Sequence, residues 1–445
     1  PRYGACRTGW LIPAFGSGLH SSMTQATRTA ARQLVYELFQ AGLTAVAGQR
    51  CVADYLVRNP LHRPVSLIAV GKAACAMTHG ALEVLDRQIV NGLVITKTGH
   101  GDEQLARDPR LHCIEAGHPL PTRDSLLAGD ALCQFLETGS DASELLFLIS
   151  GGTSSLVEVL PEDLPLHQLL RAYQWLIGSG LPIDEINRVR QTFSLIKGGG
   201  LLAYVKDRPT TVLLISDVPG DDPGTIGSGL LVPGERLPLP ASLPECLLRS
   251  ELRPAPDSFS SDAVHHHIIA TNKMALQAAA DKGRALGYAV TVMEAPLTGD
   301  AQHAGQAIAS QLQRLPEGIY LWGGETTVIL PAISGTGGRN QHLALSAAQV
   351  LPVHGDIVIL AAGTDGTDGP TDYSGAIVDA DTLERGQANG LDAGSCLQQA
   401  DSGSYLAACG DLLQTGPTGT NVMDMVIAYK DNYGPPGEGA FRESL

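Results

Sequence analysis

The chain has no closely spaced cysteines. Its eight (Cys6, Cys51, Cys75, Cys113, Cys133, Cys246, Cys396, Cys409) are scattered, with no CxxC and no secretory segment ahead of them. A disulfide framework or structural zinc site is therefore not expected, and a reducing cytoplasm is. No apolar run approaches the roughly 18 residues of a membrane span. Positive charge is scarce too: 30 Lys and Arg against 46 Asp and Glu leave a net charge of −16. That balance argues against nucleic acid or an anionic membrane surface as partner. It does not argue against a small anionic substrate, because a few local cations dominate a cleft. HExxH, GxSxG, an intact GxGxxG and the Walker A pattern are all missing. The missing dinucleotide fingerprint weighs against nicotinamide chemistry; Gly224, Gly227 and Gly229 give only its reversed spacing.

What is present is an ordinary globular composition, 44% hydrophobic and 17% charged, over 445 residues. That length favours two domains. Four stretches run from an apolar segment straight into a loop of glycines, hydroxyls and carboxylates: LLFLISGGTSS, TVLLISDVPGDD, IYLWGGETT and IVILAAGTDGTDG. Such apolar runs read as strands covered on both faces. In an open parallel sheet, ligands bind in the crevice beyond the carboxyl ends of the strands. A site built from these loops is rich in backbone N–H groups and oxygen ligands, which suits phosphate and Mg²⁺.

Short buried strands alternate with helical stretches of 10 to 15 residues, the signature of βαβ units. The fold class is therefore α/β. Residues 1–22 read as an added or upstream leader, 24–240 as the N-terminal domain, and 241–260 as a proline-rich linker and hinge. Residues 261–430 read as a second α/β domain and 431–445 as a flexible tail.

Several residues are placed to carry chemistry. Gly71 and Lys72 sit between a strand and a helix, where an ammonium and a helix N-terminus both attract phosphate. In INRVRQTFSLIKGGG, helical spacing puts Asn187, Arg190, Ser194 and Lys197 within an 80° arc beside an apolar stripe. SGGTSS, with Ser150, Gly151, Gly152, Thr153 and Ser154, is either a phosphate nest or a turn with a helix N-cap. Arg339, after two glycines and ahead of a helix, suits a transition-state cation or a structural role. The acidic loops, containing Asp217 and Asp365, form Asx turns with or without a metal.

Together the strings AVGKAA, AGHPLPTRDS, LISGGTSSL, INRVRQTFSLIKGGG, LLISDVPGDDPGTIGSG, ATNKMALQAA, WGGETTV, GTGGRNQHLAL, AAGTDGTDGPTD and TGPTGTNVMDM resemble the class II glycerate kinases. In this glycerate 2-kinase family the C-terminal part is called the MOFRL domain. The resemblance runs in family order from about Thr24 to Tyr429. It implies ATP-dependent phosphorylation of D-glycerate at its 2-hydroxyl, in a cleft between a Rossmann-like doubly wound N-terminal domain and the second α/β domain. By that resemblance the GK lysine is Lys72 and the GGRNQ arginine is Arg339, both catalytic. Asp217 joins them or binds metal. Arg190, Lys197, Asn187 and Ser150 are expected to hold the substrate. ATP is expected at Gly151, Gly152, Thr153, Ser154, Gly323, Gly324 and Asn340, and Mg²⁺ at one or more of Glu325, Asp365 and Asp217. Many members carry a basic residue or two just after the VR arginine, where this chain has Gln191 and Thr192, which touches the details of substrate contact. Some relatives are labelled hydroxypyruvate reductases, so a reductase is the first rival and a non-catalytic sugar-acid binding protein the second. Monomer and homodimer are both open.

Overall fold

A computed structural model describes residues 25–178, 181, 183–234, 243–244, 262–353 and 356–431. Six strands, β1 (Val65–Val70), β2 (Ile89–Lys97), β3 (Leu111–Ala116), β4 (Glu144–Ile149), β5 (Thr210–Ile215) and β6 (Val264–Ala270), form a wholly parallel sheet in the order β3-β2-β1-β4-β5-β6. VSLIAV has no exposed residue, because helices cover both faces. Val65, Leu67 and Ala69 lie on the face that α3 (Ala74–Leu85) covers, with α2 (Gly48–Arg58) packed on α3, and share a buried cluster with α1 (Gln25–Ala45). Past the short α4 (Glu103–Ala106), α5 (Arg123–Thr138) covers the other face, over Ile68 and Val70. The strand order reverses between β1 and β4. The crevice beyond their carboxyl ends is thus the expected ligand position of a doubly wound sheet, and it receives both Lys72 and the SGGTSS loop.

The second sheet contains β7 (Val290–Val292), β8 (Gly318–Gly324), β9 (Ile357–Gly363), β10 (Gly375–Asp379), β11 (Leu412–Leu413) and β12 (Asp424–Lys430), ordered β11-β10-β9-β12-β8-β7. Only β7 and β8 pair in parallel; β12 runs antiparallel between β8 and β9. The open parallel arrangement expected for its loops is therefore corrected to a mixed sheet. Because β12 separates them, β8 and β9 still point the same way, and both carboxyl ends reach one edge. Its helices are α10 (Asn272–Ala285), α11 (Ala301–Arg314) and α12 (Arg339–Ala348), and beyond β10 α13 (Thr382–Ala388), α14 (Ala393–Gln398) and α15 (Ser402–Cys409).

The expected domain boundary needs correcting. β6 pairs with β5 in the first sheet, so the second domain starts after Ala270, not at 261. The opening helix α1 packs on α10, β9 and β12 of the second sheet. Its Leu34, Leu38 and Phe39 join the buried cluster there. Arg32 clamps Asp379 at 2.6 Å and Asp411 at 2.9 Å, and Arg28 pairs with Asp381. The proposed linker 241–260 lies outside the described residues except for 243–244, as do the leader and the tail beyond Asp431.

Between α5 and β5 stand α6 (Thr153–Leu156), α7 (Leu166–Gly178), α8 (Ile183–Thr192) and α9 (Leu202–Val205). Helix α8 stops at Thr192, so the arc drawn through Ser194 and Lys197 does not exist. The chain turns where Leu195 N–H bonds Val159 carbonyl at 2.8 Å, and the Ser194 hydroxyl accepts from Ile196 and Lys197 N–H groups at 3.3 Å. A hydroxyl that competes for main-chain donors ends a helix in this way.

Candidate active site

The site begins where β1 and β4 release their chains. Gly71 has φ +134°, and a Cβ there would lie 2.1 Å from Ser150 Oγ. Lys72 N–H donates to Gly151 carbonyl at 2.9 Å, and Ala73 N–H to Ser150 Oγ at 3.0 Å. The two loops are thereby locked together, and the Lys72 side chain crosses to the second domain, donating to Asp365 Oδ2 at 2.7 Å. Burial works against the Lys72 charge, but Asp365 and Asp217 outweigh it and hold the ammonium above its ordinary pKa. Burial likewise works against Asp365, yet Lys72 brings that carboxyl down to about 2. Lys72 is therefore a fixed cation at the crevice.

The second sheet supplies the opposite wall. Asp424, at the start of β12, lies in register with Gly324 of β8 and Gly363 of β9. Its two carboxylate oxygens accept from Arg339 Nε at 2.6 Å and Nη2 at 2.8 Å, and Arg339 Nη1 reaches Glu325 at 2.9 Å. Burial opposes the arginine's charge, but the two carboxylates hold it well above its usual range. Glu325 is pushed up to about 7 by burial, against the pull of Arg339 and with Asp424 and Asp217 adding repulsion. Since 43% of its side chain faces the open cleft, water screens that effect, and the direction carries the argument. Helix α12 starts at Arg339. Asp368 accepts there from the N–H groups of Asn340 at 3.0 Å and Gln341 at 2.8 Å, and burial raises its carboxyl to about 7.

Asp217, beyond β5, lies between the two walls. Asn421 Nδ2 donates to it at 3.2 Å. Burial raises its pKa, partly offset by Lys72. Gly151 is what allows this approach: a Cβ there would lie 1.9 Å from Asn421 Nδ2 and 2.1 Å from Asp217 Oδ2. His118 completes the near side, within 3.0 Å of where a Cβ on Gly152 would stand, with Lys72 Cγ at 3.2 Å. Burial and the Lys72 charge keep its imidazole well below the usual pKa, hence neutral.

At the outer end Arg190 of α8 lies over the Tyr173 ring, 5.1 Å from its centroid. Its Nε is buried with no hydrogen-bond partner among the described residues. Asn187 donates to Thr225 carbonyl at 3.1 Å and accepts from Ser228 Oγ at 3.0 Å, while Gln191 donates to Ser228 carbonyl at 3.2 Å. Helix α8 is thus tied to the loop after β5.

Lys72, Arg339, Asp217, Glu325, Asp365 and Arg190 all come to this cleft. Other expected site residues are otherwise engaged. Ser150 and Thr153 are fully buried, and the Thr153 hydroxyl is turned onto the carbonyls of Val70 and Ser150. Ser154 Oγ meets Ser228 Oγ at 2.7 Å. The N–H groups of Gly151 and Gly152 enter no main-chain hydrogen bond among the described residues, so this loop offers donors from its backbone rather than its hydroxyls. Gly323 and Gly324 lie within β8, where missing Cβ atoms make room for Asn272 Oδ1 and the Leu297 backbone. Asn340 is spent on Asp368 through its main chain and its amide. Lys197 is wholly buried against Glu158 and contacts Tyr173 Oη at 3.3 Å, so it supports the site from behind. Asp365 and Glu325, expected at Mg²⁺, each face a cation here. His118, Asp424, Asn421 and Tyr173 were not anticipated. The strings AGHPLP and TGTNVMDM carry the first three, but an aspartate opening an apolar strand gives no sign of what it faces.

A lysine, two arginines and several carboxylates from the two α/β units thus converge, an arrangement whose chemistry suits an anionic ligand. Comparison with known proteins makes this specific. A domain of unknown function, DUF4147, matches residues 34–247 and the MOFRL family matches 318–424. The chain is 36% identical to a glycerate 2-kinase of Pyrococcus horikoshii, covering 82% of this chain and 87% of that one. It is 35% identical to a D-glycerate 2-kinase of Thermotoga maritima, covering 89% and 97%. A crystal structure of glycerate kinase from Thermotoga maritima superposes with a TM-score of 0.77 at 34% identity, covering 91% of this chain and all of the other. The chain belongs to the glycerate 2-kinase family.

Proposed function

We propose that this protein phosphorylates D-glycerate at its 2-hydroxyl with ATP, giving 2-phosphoglycerate and ADP. One observation carries the reading: where Lys72 and Arg339 each already face carboxylates, Arg190 keeps a buried Nε with no hydrogen-bond partner among the described residues. A guanidinium matches a carboxylate bidentately, so Arg190 binds the glycerate carboxylate and sets the 2-hydroxyl toward Asp217. That hydroxyl oxygen attacks the γ-phosphorus, its proton passes to Asp217, and the bond to the β-phosphate oxygen breaks to release ADP. Burial raises Asp217 above an ordinary carboxylate and makes it the better base, whereas Asp365, at about 2, is a poor one. Lys72 and Arg339 stabilise the equatorial oxygens of the moving phosphoryl group, where positioning and charge dominate. The N–H groups of Gly151 and Gly152 are placed to hold ATP phosphate oxygens.

Mg²⁺ fits this donor set through few protein ligands. Burial raises the Glu325 pKa toward neutrality, and Asp424 and Asp217 add a repulsion that a cation would relieve. Glu325 would hold it, leaving Asp217 free as proton acceptor, and the ion would supply charge neutralisation to the phosphates. No group of three or more His, Cys, Asp or Glu placed to hold a metal ion exists among the described residues.

The test is one reaction of protein, D-glycerate, ATP and Mg²⁺, with the product identified by phosphorus NMR, beside a reaction of hydroxypyruvate and NADH. A 2-phosphoglycerate signal that is lost in Lys72→Ala is the expected result. NADH consumption without phosphoryl transfer would overturn the reading.

A further inference from the structure

Tyr173 is among the largest fully buried side chains of the chain, yet its polar and aromatic groups are turned to three neighbours of the cleft. Its ring faces the Arg190 guanidinium at 5.1 Å. Its hydroxyl donates to the Ser154 carbonyl at 2.8 Å, in the loop that also carries Gly151 and Gly152. From behind, Lys197 Nζ reaches the same hydroxyl at 3.3 Å and forms a wholly buried pair with Glu158. The hydroxyl is thus held twice, by the Ser154 main chain and by the lysine of a buried ion pair, while the ring face meets Arg190.

An arginine whose Nε is buried and unpartnered is unstable in position without such support, since its side chain has many rotamers. We propose that Tyr173 is a positioning residue for the substrate carboxylate: its ring fixes the Arg190 guanidinium, and its hydroxyl ties that ring to the glycine-rich loop at Ser154. The anion-binding arginine and the phosphate-facing loop are then held in one register, so that acceptor and donor share a fixed separation. Lys197 and Glu158 act one step further back, by holding the tyrosine hydroxyl. This inference rests on the kinase reading only for the name of the anion; the ring-to-arginine support stands on geometry.

The experiment measures kcat and both KM values, together with calorimetric binding of D-glycerate without ATP, in the wild type, Tyr173→Leu, Tyr173→Phe, Arg190→Met and the Tyr173→Leu/Arg190→Met double variant. Tyr173→Leu removes the cation–π support and should raise KM and Kd for D-glycerate about tenfold, with KM for ATP changed less than about twofold. Added to Arg190→Met, the same substitution should cost nothing further, because its effect passes through the arginine. Tyr173→Phe keeps the ring but loses the tether, and should raise KM for D-glycerate roughly threefold. A Tyr173→Leu effect as large in the Arg190→Met background as in the wild type, or one confined to ATP, would overturn the inference. Should Tyr173→Leu fail to fold, Tyr173→Phe decides, and an unchanged D-glycerate KM would be adverse. If the wild type binds D-glycerate without phosphorylating it, the functional reading fails and the binding constants alone judge Tyr173; if it binds none, both fall.

Discussion

Gly151→Ala separates folding from catalysis at one methyl group. The added Cβ would stand 1.9 Å from Asn421 Nδ2 and 2.1 Å from Asp217 Oδ2. Non-bonded heavy atoms settle near 3.5 Å, so both groups must retreat by more than about 1 Å. Gly151 is not among the glycines with positive φ, so the backbone conformation accepts alanine and the cost falls on two side-chain tips. Losing the 3.2 Å bond between Asn421 and Asp217, a hydrogen bond to a charged group, costs about 1.5–3 kcal/mol. With an unfolding entropy of about 2.1 cal/mol/K per residue over 445 residues, that lowers Tm by only about 2–3 °C. Catalysis suffers more: displacing the proton acceptor by roughly 1 Å costs on the order of 100-fold in kcat, about 2.7 kcal/mol of barrier. The assay is ADP release by a coupled spectrophotometric method, with calorimetric melting of the same preparation. A folded Gly151→Ala protein with kcat within about threefold of the wild type would refute the placement of Asp217 at the reacting oxygen.

Two further outcomes follow from the charges. Asp217 has a raised folded-state pKa and must be ionised to take a proton, so kcat/KM should fall as pH drops through that value, at a pH above the range of an ordinary carboxylate. Asp217→Asn should remove this acid limb along with about 10²- to 10⁴-fold of the rate; a limb that persists in the variant would assign it elsewhere. Lys197→Met leaves Glu158 buried and unpaired and should cost about 3–5 kcal/mol in urea denaturation. The double variant Lys197→Met/Glu158→Leu should recover most of that loss, and a single-variant cost under about 1 kcal/mol would contradict the buried pair.

The sequence made some parts of this molecule legible and hid others for definable reasons. VSLIAV and ELLFLI are uniformly buried or nearly so, and a continuous apolar run announces a strand. Pairing leaves no such trace. VHHHIIA, an edge strand with alternating exposure, follows a proline-rich stretch and therefore reads as the opening of a new domain, although β5 is its partner. The strand GAIVD begins with Gly375 and runs only five residues, too short to show a period. Lys72, Arg190 and Arg339 stand out because each breaks an apolar or glycine-rich context, and the fold does gather them. Lys197 stands out for the same reason but is neutralised by Glu158, 39 residues away, a distance over which local pattern is silent. The serine and threonine of SGGTSS look like phosphate ligands in one dimension. In three they face inward, because a tight turn at the end of a buried strand has its own carbonyls to satisfy.

The crossing points between the two sheets also decide how the cleft can close. The proline-rich segment near 241–260 looked like the hinge, but among the described residues the chain passes from one sheet to the other at 46–47 and at 271, next to α1, α2 and α10. There a single buried cluster, including Val35 and Leu38 of α1, Val52 of α2, Met77 of α3, Leu276 of α10 and Met425 of β12, runs from the first sheet to the second. Separating it would expose apolar surface at about 25 cal/mol per Å², whereas the cleft edge is joined mainly by polar contacts such as Lys72 to Asp365 and Asp217 to Asn421. Ionic contacts exchange readily with water and substrate phosphates; a packed seam does not. Closure should therefore be a swing about the seam that excludes water from the cleft. On adding ATP, Mg²⁺ and D-glycerate, amide exchange should slow in loops 217–222 and 325–338 and stay unchanged in α1 and α10. Faster exchange in α10 on closure would mean that the seam itself slides, and the axis would have to be placed elsewhere.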